Sequence, residues 1–351
     1  MADNKIAFIL CVNNMDEYEE CKYYIDRLNV PEDYETETVT IGEATSMAAG
    51  YQAGMLSTDA KYKVYLHQDV FLINQNFIPD MLAVFAENPA IGMLGMIGTT
   101  KLGKYARAVV DWNAGKILHN CSPNRLEFEF PENGTSYQAV QAVDGLLIAT
   151  QQDVCWREDL FDGWDFYDIS QCMEFLRAGK LVAVPRQETP WCYHDNSYSK
   201  MGRYYEYCTR FAKEYQDIAP FEPVQPSARA MEYEELREQS RMELGTLVEE
   251  EKRDELIAIF ADQKNRGYLH LAEFELLAEI EAAERQSLGF DLEEKRLWKS
   301  GMGAEEVYQR IQKLRHLVKR LEFDAEDAGA VMERIRAEYT GMAFEIVRKD
   351  D

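Results

Sequence analysis

The sequence predicts an α/β fold, a wound mixed sheet flanked by helices, followed by an all-α C-terminal domain. Through about residue 218, short β-branched or aromatic runs alternate with helical patterns, the signature of a wound sheet. Residues 219–226, with Pro220, Pro223 and Pro226, read as a linker. In residues 227–351 strand signals give way to charged, amphipathic patterns of helical spacing. The predicted domains are therefore 1–218 and 227–351.

The elements follow in order. Residues 5–12 are a continuous apolar run and predict a buried first strand. Residues 15–28 predict a helix, with Asp16 and Glu17 in the first turn where the helix dipole favours them. Residues 35–41 predict a second strand. Residues 46–56, rich in Ala, Met and Gly, predict a closely packed helix. Residues 63–67 predict a third strand running into Gln68 and Asp69. A helix over 77–87 and a buried strand over 91–97 come next. Residues 106–112 and 116–120 flank Asn113, Ala114 and Gly115, which predict a hairpin turn. Residues 139–149 predict a strand interrupted by Asp144 and Gly145. A helix over 169–178 is followed by Gly179 as a C-terminal cap. A strand over 181–184 leads into Pro185, and residues 191–195 end a strand on His194. Antiparallel insertions late in a parallel sheet make the sheet mixed. Beyond the linker, 231–260, 269–285, 304–321 and 325–338 carry helical patterns; Ile311, Leu314, Val318 and Leu321 share one face. Such stripes must be buried against each other, the first domain or a partner, with acceptor recognition or a homodimer among the expected roles.

Composition limits the partners. A content of 46% hydrophobic and 12% aromatic residues excludes global disorder. No run reaches 18 apolar residues, so no membrane span is expected. The start, Met-Ala-Asp-Asn-Lys, has no basic leader, so no secretory signal is expected. Seven scattered cysteines without CxxC spacing predict buried reduced thiols and a cytoplasmic location. A net charge of −25 argues against nucleic acid and against anionic membrane surfaces. A phosphate-bearing ligand in so negative a field would favour a bridging divalent cation.

In a wound sheet ligands gather at the carboxyl ends of the strands. The first strand ends in Asn13 and Asn14, with no GxGxxG and no GxxxxGK[ST], so dinucleotide and P-loop readings are excluded. The two asparagines form an Asx turn or contact a nucleotide base. Glu43, at the second strand's end, is an acceptor for a ribose or base, or an ordinary surface carboxylate. The third strand carries His67, Gln68 and Asp69 within an apolar run, where unpaired polar groups cost several kcal/mol. Asp69 is a hard oxygen ligand suited to Mg2+ or Mn2+ on phosphates. The segment from Gly163 to Ser170 places Asp168 among aromatics at a helix start. It is an N-cap there, or a general base desolvated by Trp164 and Tyr167. His194 is a structural imidazole or a further ligand.

The order of these motifs resembles the GT-A glycosyltransferases, and most of all the family-2-like branch named for a streptomycin-biosynthesis protein. The segments that carry the resemblance are Ser46-Met-Ala-Ala-Gly-Tyr51, Tyr65-Leu-His-Gln-Asp69 and Gly163-Trp-Asp-Phe-Tyr-Asp168, within roughly residues 5–215. It implies a GT-A-like wound sheet and a nucleotide-sugar donor. Cys11, Val12, Asn13, Asn14 and Glu43 would line the base and ribose pocket, with Gly50 and Tyr51 beside the nucleotide. His67 and Gln68 fall in the donor site with Asp69, which stands at the last position of the metal-binding DXD motif. His194 matches the late histidine that adds a ligand, and Mn2+ or Mg2+ is the implied cofactor. Asp144 and Gly145 match the segment against the donor sugar, and Trp164 falls within the donor-binding set. Asp168 matches the catalytic base, with Tyr167 in place of the usual glutamate. An inverting single displacement from a UDP-sugar to an unknown hydroxyl acceptor is the expected reaction. The rival from another class is a non-catalytic scaffold on a degenerate glycosyltransferase fold, which would leave His67, Asp69, Asp168 and His194 without a shared purpose. A nucleotidyltransferase would need a Gly- and Lys/Arg-rich phosphate loop that the chain lacks.

Overall fold

The computed structural model describes residues 2–106, 111–119, 126–127, 135–195, 203–224, 290–292 and 344–346. The chain divides into two units, Met1–Pro226 and Ser227–Asp351.

The first unit is built on a mixed seven-stranded sheet. Its first strand, β1 (Ala2–Val12), buries Ile6 to Leu10 completely. It pairs in parallel with β2 (Glu35–Gly42) and β3 (Ala60–Leu66). On the far side of β3 lies β11 (Leu147–Thr150), antiparallel to both β3 and β5 (Ile91–Gly95). The sheet continues through β12 (Leu181–Pro185), parallel to β5, and ends on antiparallel β9 (Tyr137–Val140). Pro185 stands at the last position of its strand, where the missing N–H leaves little of the ladder unmade. Because β1, β2, β3, β5 and β12 run the same way, their carboxyl ends share one side of the sheet, where ligands of such sheets gather.

A second sheet forms from short pieces, in the order β10 (Ala142–Val143), β6 (Ile97–Thr99), β7 (Ala114–His119), β13 (Cys192–His194) and β4 (Val70–Leu72). One further pair, β8 (Leu126–Glu127), lies against β7. The apolar run expected as one strand over 91–97 thus serves two sheets, breaking at Met96, whose carbonyl accepts from Lys116 N and Gln187 Nε2. The hairpin turn expected at Asn113–Ala114–Gly115 is not there: Ala114 and Gly115 are already in β7, paired with Gly98 and Ile97. Their pairing with a distant strand overrides the local turn signal.

Helices cover the main sheet. The first, α1 (Met15–Ile25), is shorter than expected, and Asn14 Oδ1 accepts from Glu17 N at 3.4 Å in its opening turn. The Ala-, Met- and Gly-rich α2 (Met47–Leu56) approaches β1 closely through Gly50 and Gly54. Its N-cap Ser46 is 2% exposed and accepts from Ala49 N at 3.1 Å. Ser46→Ala leaves that amide without its partner and is expected to remove about 1 kcal/mol of stability. Thermal or urea unfolding reads this as a lower midpoint. The amphipathic α3 (Phe77–Glu87) has the expected bounds and buries Phe77, Ile78, Met81, Val84 and Phe85. In α4 (Tyr167–Arg177) the helix ends just before Gly179, whose φ of 70° suits a cap. A last helix, α5 (Tyr204–Glu214), tucks Tyr207, Cys208, Phe211 and Ala212 into the core. Arg177 of α4 bonds Glu214 of α5, and Arg157, outside the helix, bridges Glu174 of α4 to the same Glu214. None of the described helices is long and apolar enough to cross a membrane. Among the described cysteines, Cys21, Cys172, Cys192 and Cys208 are buried, Cys11 is half-buried and Cys155 is exposed.

In the second unit, Phe290–Leu292 pairs antiparallel with Phe344–Ile346. A strand-free segment was expected here, so this pair corrects the all-α expectation at those six residues. Their β-branched and aromatic content is too short a signal to stand out within a charged sequence. The four helical patterns lie outside the described residues.

Candidate functional site

The main sheet delivers β3 to Leu66, and the chain then turns through His67, Gln68 and Asp69 into β4, with Val70 N donating back to His67 O. Antiparallel pairing of β4 with β13 sets His194 opposite Val70, and Asp195 N donates to Asp69 O at 2.8 Å. Two imidazoles therefore converge on one carboxylate. His194 Nε2 lies 3.6 Å from Asp69 Oδ1, and His67 Nδ1 lies 3.8 Å from the same atom. One ligand atom from each of the three lies within 4.8 Å of the others.

Asp69 Oδ1 is buried and has no hydrogen-bond partner. Leaving such an atom unsatisfied costs roughly 1–3 kcal/mol or more when it is charged. The surrounding donor set, one carboxylate and two imidazoles just beyond hydrogen-bond reach, fits a divalent cation held between them. The His67 and Asp69 side chains keep 23% and 20% of their surface open, so the cluster is reachable from solvent. Burial pushes the Asp69 carboxyl upward, but the two imidazoles outweigh it and hold the group below the usual carboxylate range. Burial also lowers His67, which favours the neutral imidazole that can ligate a metal. For His194 burial opposes the charge, and Asp69 outweighs it, leaving the group raised.

Asp168 is the second residue of α4; the position before the helix belongs to Phe166, so Asp168 is not its N-cap. Phe166 takes the left-handed conformation at φ 63°, unusual for a bulky residue and a mark of a locally imposed geometry. Asp168 Oδ2 accepts from Gly145 N at 3.0 Å. Burial, then the nearby Asp144, push its carboxyl up to about 7 against the opposing Ile169 and Gly145 amides. A carboxylate poised near neutrality is suited to general-base work.

One turn ties Asp168 to the cluster of His67, Asp69 and His194. Asp144 Oδ1 accepts from Leu146 N at 2.9 Å, Gly145 N reaches Asp168, and Leu146 O accepts from His67 N at 3.1 Å. His67 Nε2 is also hydrogen-bonded to the Tyr167 hydroxyl. The structure thus gathers His67, Asp69, Asp144, Gly145, Asp168 and His194.

The other expected residues are placed differently. Gln68 Oε1 accepts from the amides of Asn13 and Asn14, while its Nε2 donates to Asn13 Oδ1 and Glu17 Oε2. Its hydrogen-bonding capacity is filled, making Gln68 a clasp between the ends of β1 and β3. Asn14 caps α1, the Asx alternative. Cys11 and Val12 are half-buried at the end of β1, with Gly50 packed on the Cys11 sulfur. Tyr51 is wholly buried against Tyr65 and Trp156, and its hydroxyl has no partner. Glu43 is exposed at the end of β2 with φ 53°. Trp164, expected to help desolvate Asp168, is instead 52% exposed.

Two contacts lie outside the expectations: Tyr167, expected only to help desolvate Asp168, is hydrogen-bonded to His67, and Glu17 accepts from Gln68. Glu17 carries no signal beyond a favourable first-turn charge. Tyr167 stands beside the acidic residue at the helix start, yet an aromatic there reads first as core.

The profile of the glycosyltransferase-like family matches residues 7–215. No curated protein matches the chain. Among solved structures the chain is similar to S. aureus TarS, at 10% identity and a TM-score of 0.38, covering 62% of this chain and 41% of that one. It is similar to GalNAc-T7, solved with UDP, GalNAc and Mn2+, at 8% identity and a TM-score of 0.39, covering 55% and 43%. A third is the mannosyltransferase PcManGT from Pyrobaculum calidifontis, in complex with GDP-Man and Mn2+, at 12% identity and a TM-score of 0.41, covering 79% and 86%. The chain spans about two fifths of the length of the first two. At TM-scores below 0.5 none of these likenesses bears on the site, and membership rests on the sequence profile. Because that profile spans more than half of the chain and takes in His67, Asp69, Asp168 and His194, the protein belongs to the glycosyltransferase-like family.

Proposed function

We propose that this protein transfers a sugar from a nucleotide-sugar donor to a hydroxyl acceptor, with a divalent cation held by Asp69, His194 and His67. The observation that carries the proposal is the buried, unpartnered Asp69 oxygen facing two imidazole nitrogens, linked through one turn to a carboxylate poised at about 7. When bound, the cation supplies positive charge to offset the charge that grows on the departing diphosphate. Asp168 accepts the acceptor's hydroxyl proton as that oxygen attacks; Asp144 helps keep the carboxyl raised, and the Gly145 amide orients it. With one base and no second nucleophile assigned, a single inverting displacement follows. Two nitrogen donors and one oxygen donor suit Mn2+ better than Mg2+, which prefers all-oxygen shells.

Thermal-shift titration tests this directly. UDP-, GDP-, CDP- and dTDP-sugars are added with Mn2+, with Mg2+ or with EDTA, UDP-sugars being the first donors to try. One class of donor is expected to raise Tm only when a cation is present, and more with Mn2+ than with Mg2+. Shifts that are identical in EDTA would remove the cation from the proposal, and no shift with any donor would remove the donor.

A further inference from the structure

We propose that Tyr167 is a positioning residue for the cation site, its hydroxyl holding the His67 imidazole so that Nδ1 faces Asp69. The inference rests on His67, Asp69 and His194 being that site. An imidazole has two nitrogens, and engaging one fixes where the other points. His67 Nε2 is hydrogen-bonded to the Tyr167 hydroxyl, while Nδ1 is the nitrogen 3.8 Å from Asp69 Oδ1. With Nδ1 committed to a cation, Nε2 carries the ring proton and donates it to the tyrosine oxygen.

The surroundings of Tyr167 are shaped to deliver that hydroxyl. The side chain is 5% exposed, and its ring lies 5.9 Å from Tyr51 and 6.3 Å from Trp156, centroid to centroid. The residue before it, Phe166, holds the left-handed conformation. Opposite the hydroxyl stands Gly145, where an added Cβ would fall 2.2 Å from the tyrosine oxygen. Any larger residue at 145 must displace the hydroxyl from His67. The next residue in the chain, Asp168, accepts the Gly145 amide, so one helical turn orients a cation ligand and carries the base.

Outer partners of metal-bound histidines typically change metal affinity by roughly 10- to 100-fold when removed. Tyr167→Phe deletes one oxygen and keeps the packed ring. Binding of Mn2+ alone to the full chain, followed by the electron paramagnetic resonance of free Mn2+, is expected to weaken by about that factor. The Tm of the metal-free protein stays close to wild type. Gly145→Ala is expected to weaken Mn2+ in the same direction, and Asp168→Asn to leave it unchanged. If Tyr167→Phe binds Mn2+ as wild type does while Asp69→Ala binds none, the role of Tyr167 is overturned and the cation site stands. A loss of affinity accompanied by an equally marked fall in metal-free Tm assigns Tyr167 to packing and also overturns it. If wild type and Asp69→Ala titrate alike, the cation site itself is wrong, and the inference falls with it.

Discussion

Asp69→Ala is expected to abolish Mn2+ binding and sugar transfer together, in a protein that still folds. The carboxylate is the only anionic group in the three-residue cluster, and its Oδ1 lies within 3.8 Å of both imidazoles. Removing it leaves two neutral nitrogen donors on separate elements, the β3–β4 turn and β13, with nothing negative to draw a cation between them. The loss therefore exceeds the roughly 100-fold at the top of the range for outer partners. The fold is expected to survive because β4 and β13 are joined by backbone pairing and by the Asp195 amide to the Asp69 carbonyl, none of which needs the side chain. Calorimetric titration of a nucleotide with and without Mn2+ checks the result. A folded variant that binds both as wild type does would sink the assignment of Asp69.

Much of the fold was legible because burial was written in periodicity. The amphipathic pattern of 77–87 matched its helix residue for residue, and the uninterrupted run around Ile6–Leu10 marked a strand covered on both faces. Where the sequence misled, a distant partner decided the outcome. Nothing in 91–97 distinguishes residues for one sheet from residues for the other; the break at Met96 is set by hydrogen bonds from Lys116 and Gln187. Ala114 and Gly115 carried a turn signal but were claimed by β6. Tyr207, Cys208, Phe211 and Ala212 recur with helical spacing, a signal for α5 that was present and unassigned.

The cluster around Asp69 was readable by the same rule. His67 and Asp69 stood out as polar residues in an apolar run, and their environment is indeed a cluster. Gln68 stood out equally, yet its neighbours consume it, and no local pattern says which of three adjacent polar side chains is spent on structure. The contact of Tyr167 with His67 could not be read from the sequence, because it joins residues 100 apart, with Gly145 opposite the hydroxyl 22 residues away.

Asp168→Asn is expected to lower transfer by about 100-fold or more, the usual scale for a general base, with Mn2+ and nucleotide binding retained. Asparagine keeps the shape, and its carbonyl oxygen can still accept the Gly145 amide, so the turn that links base and cation cluster stays assembled. What disappears is the capacity to take a proton. Wild-type transfer should accordingly rise as pH increases through about 7, the value to which burial and Asp144 push the Asp168 carboxyl, and the variant should lack that ascending limb. Stability runs the opposite way. A carboxyl raised from 3.8 to about 7 by folding favours the folded state most below pH 3.8, and that contribution is lost as pH rises through about 7. At pH 8 wild type therefore folds around a buried, ionised carboxylate beside Asp144, whereas the asparagine variant does not. The variant should then melt higher than wild type at pH 8, and the difference should shrink as pH falls toward 4. A base retained at a cost to stability is the trade-off expected of a catalytic group. Paired melting and rate measurements at pH 5 and pH 8 decide the matter: a variant that melts lower at both and transfers sugar normally would make Asp168 a structural acceptor for Gly145 and nothing more.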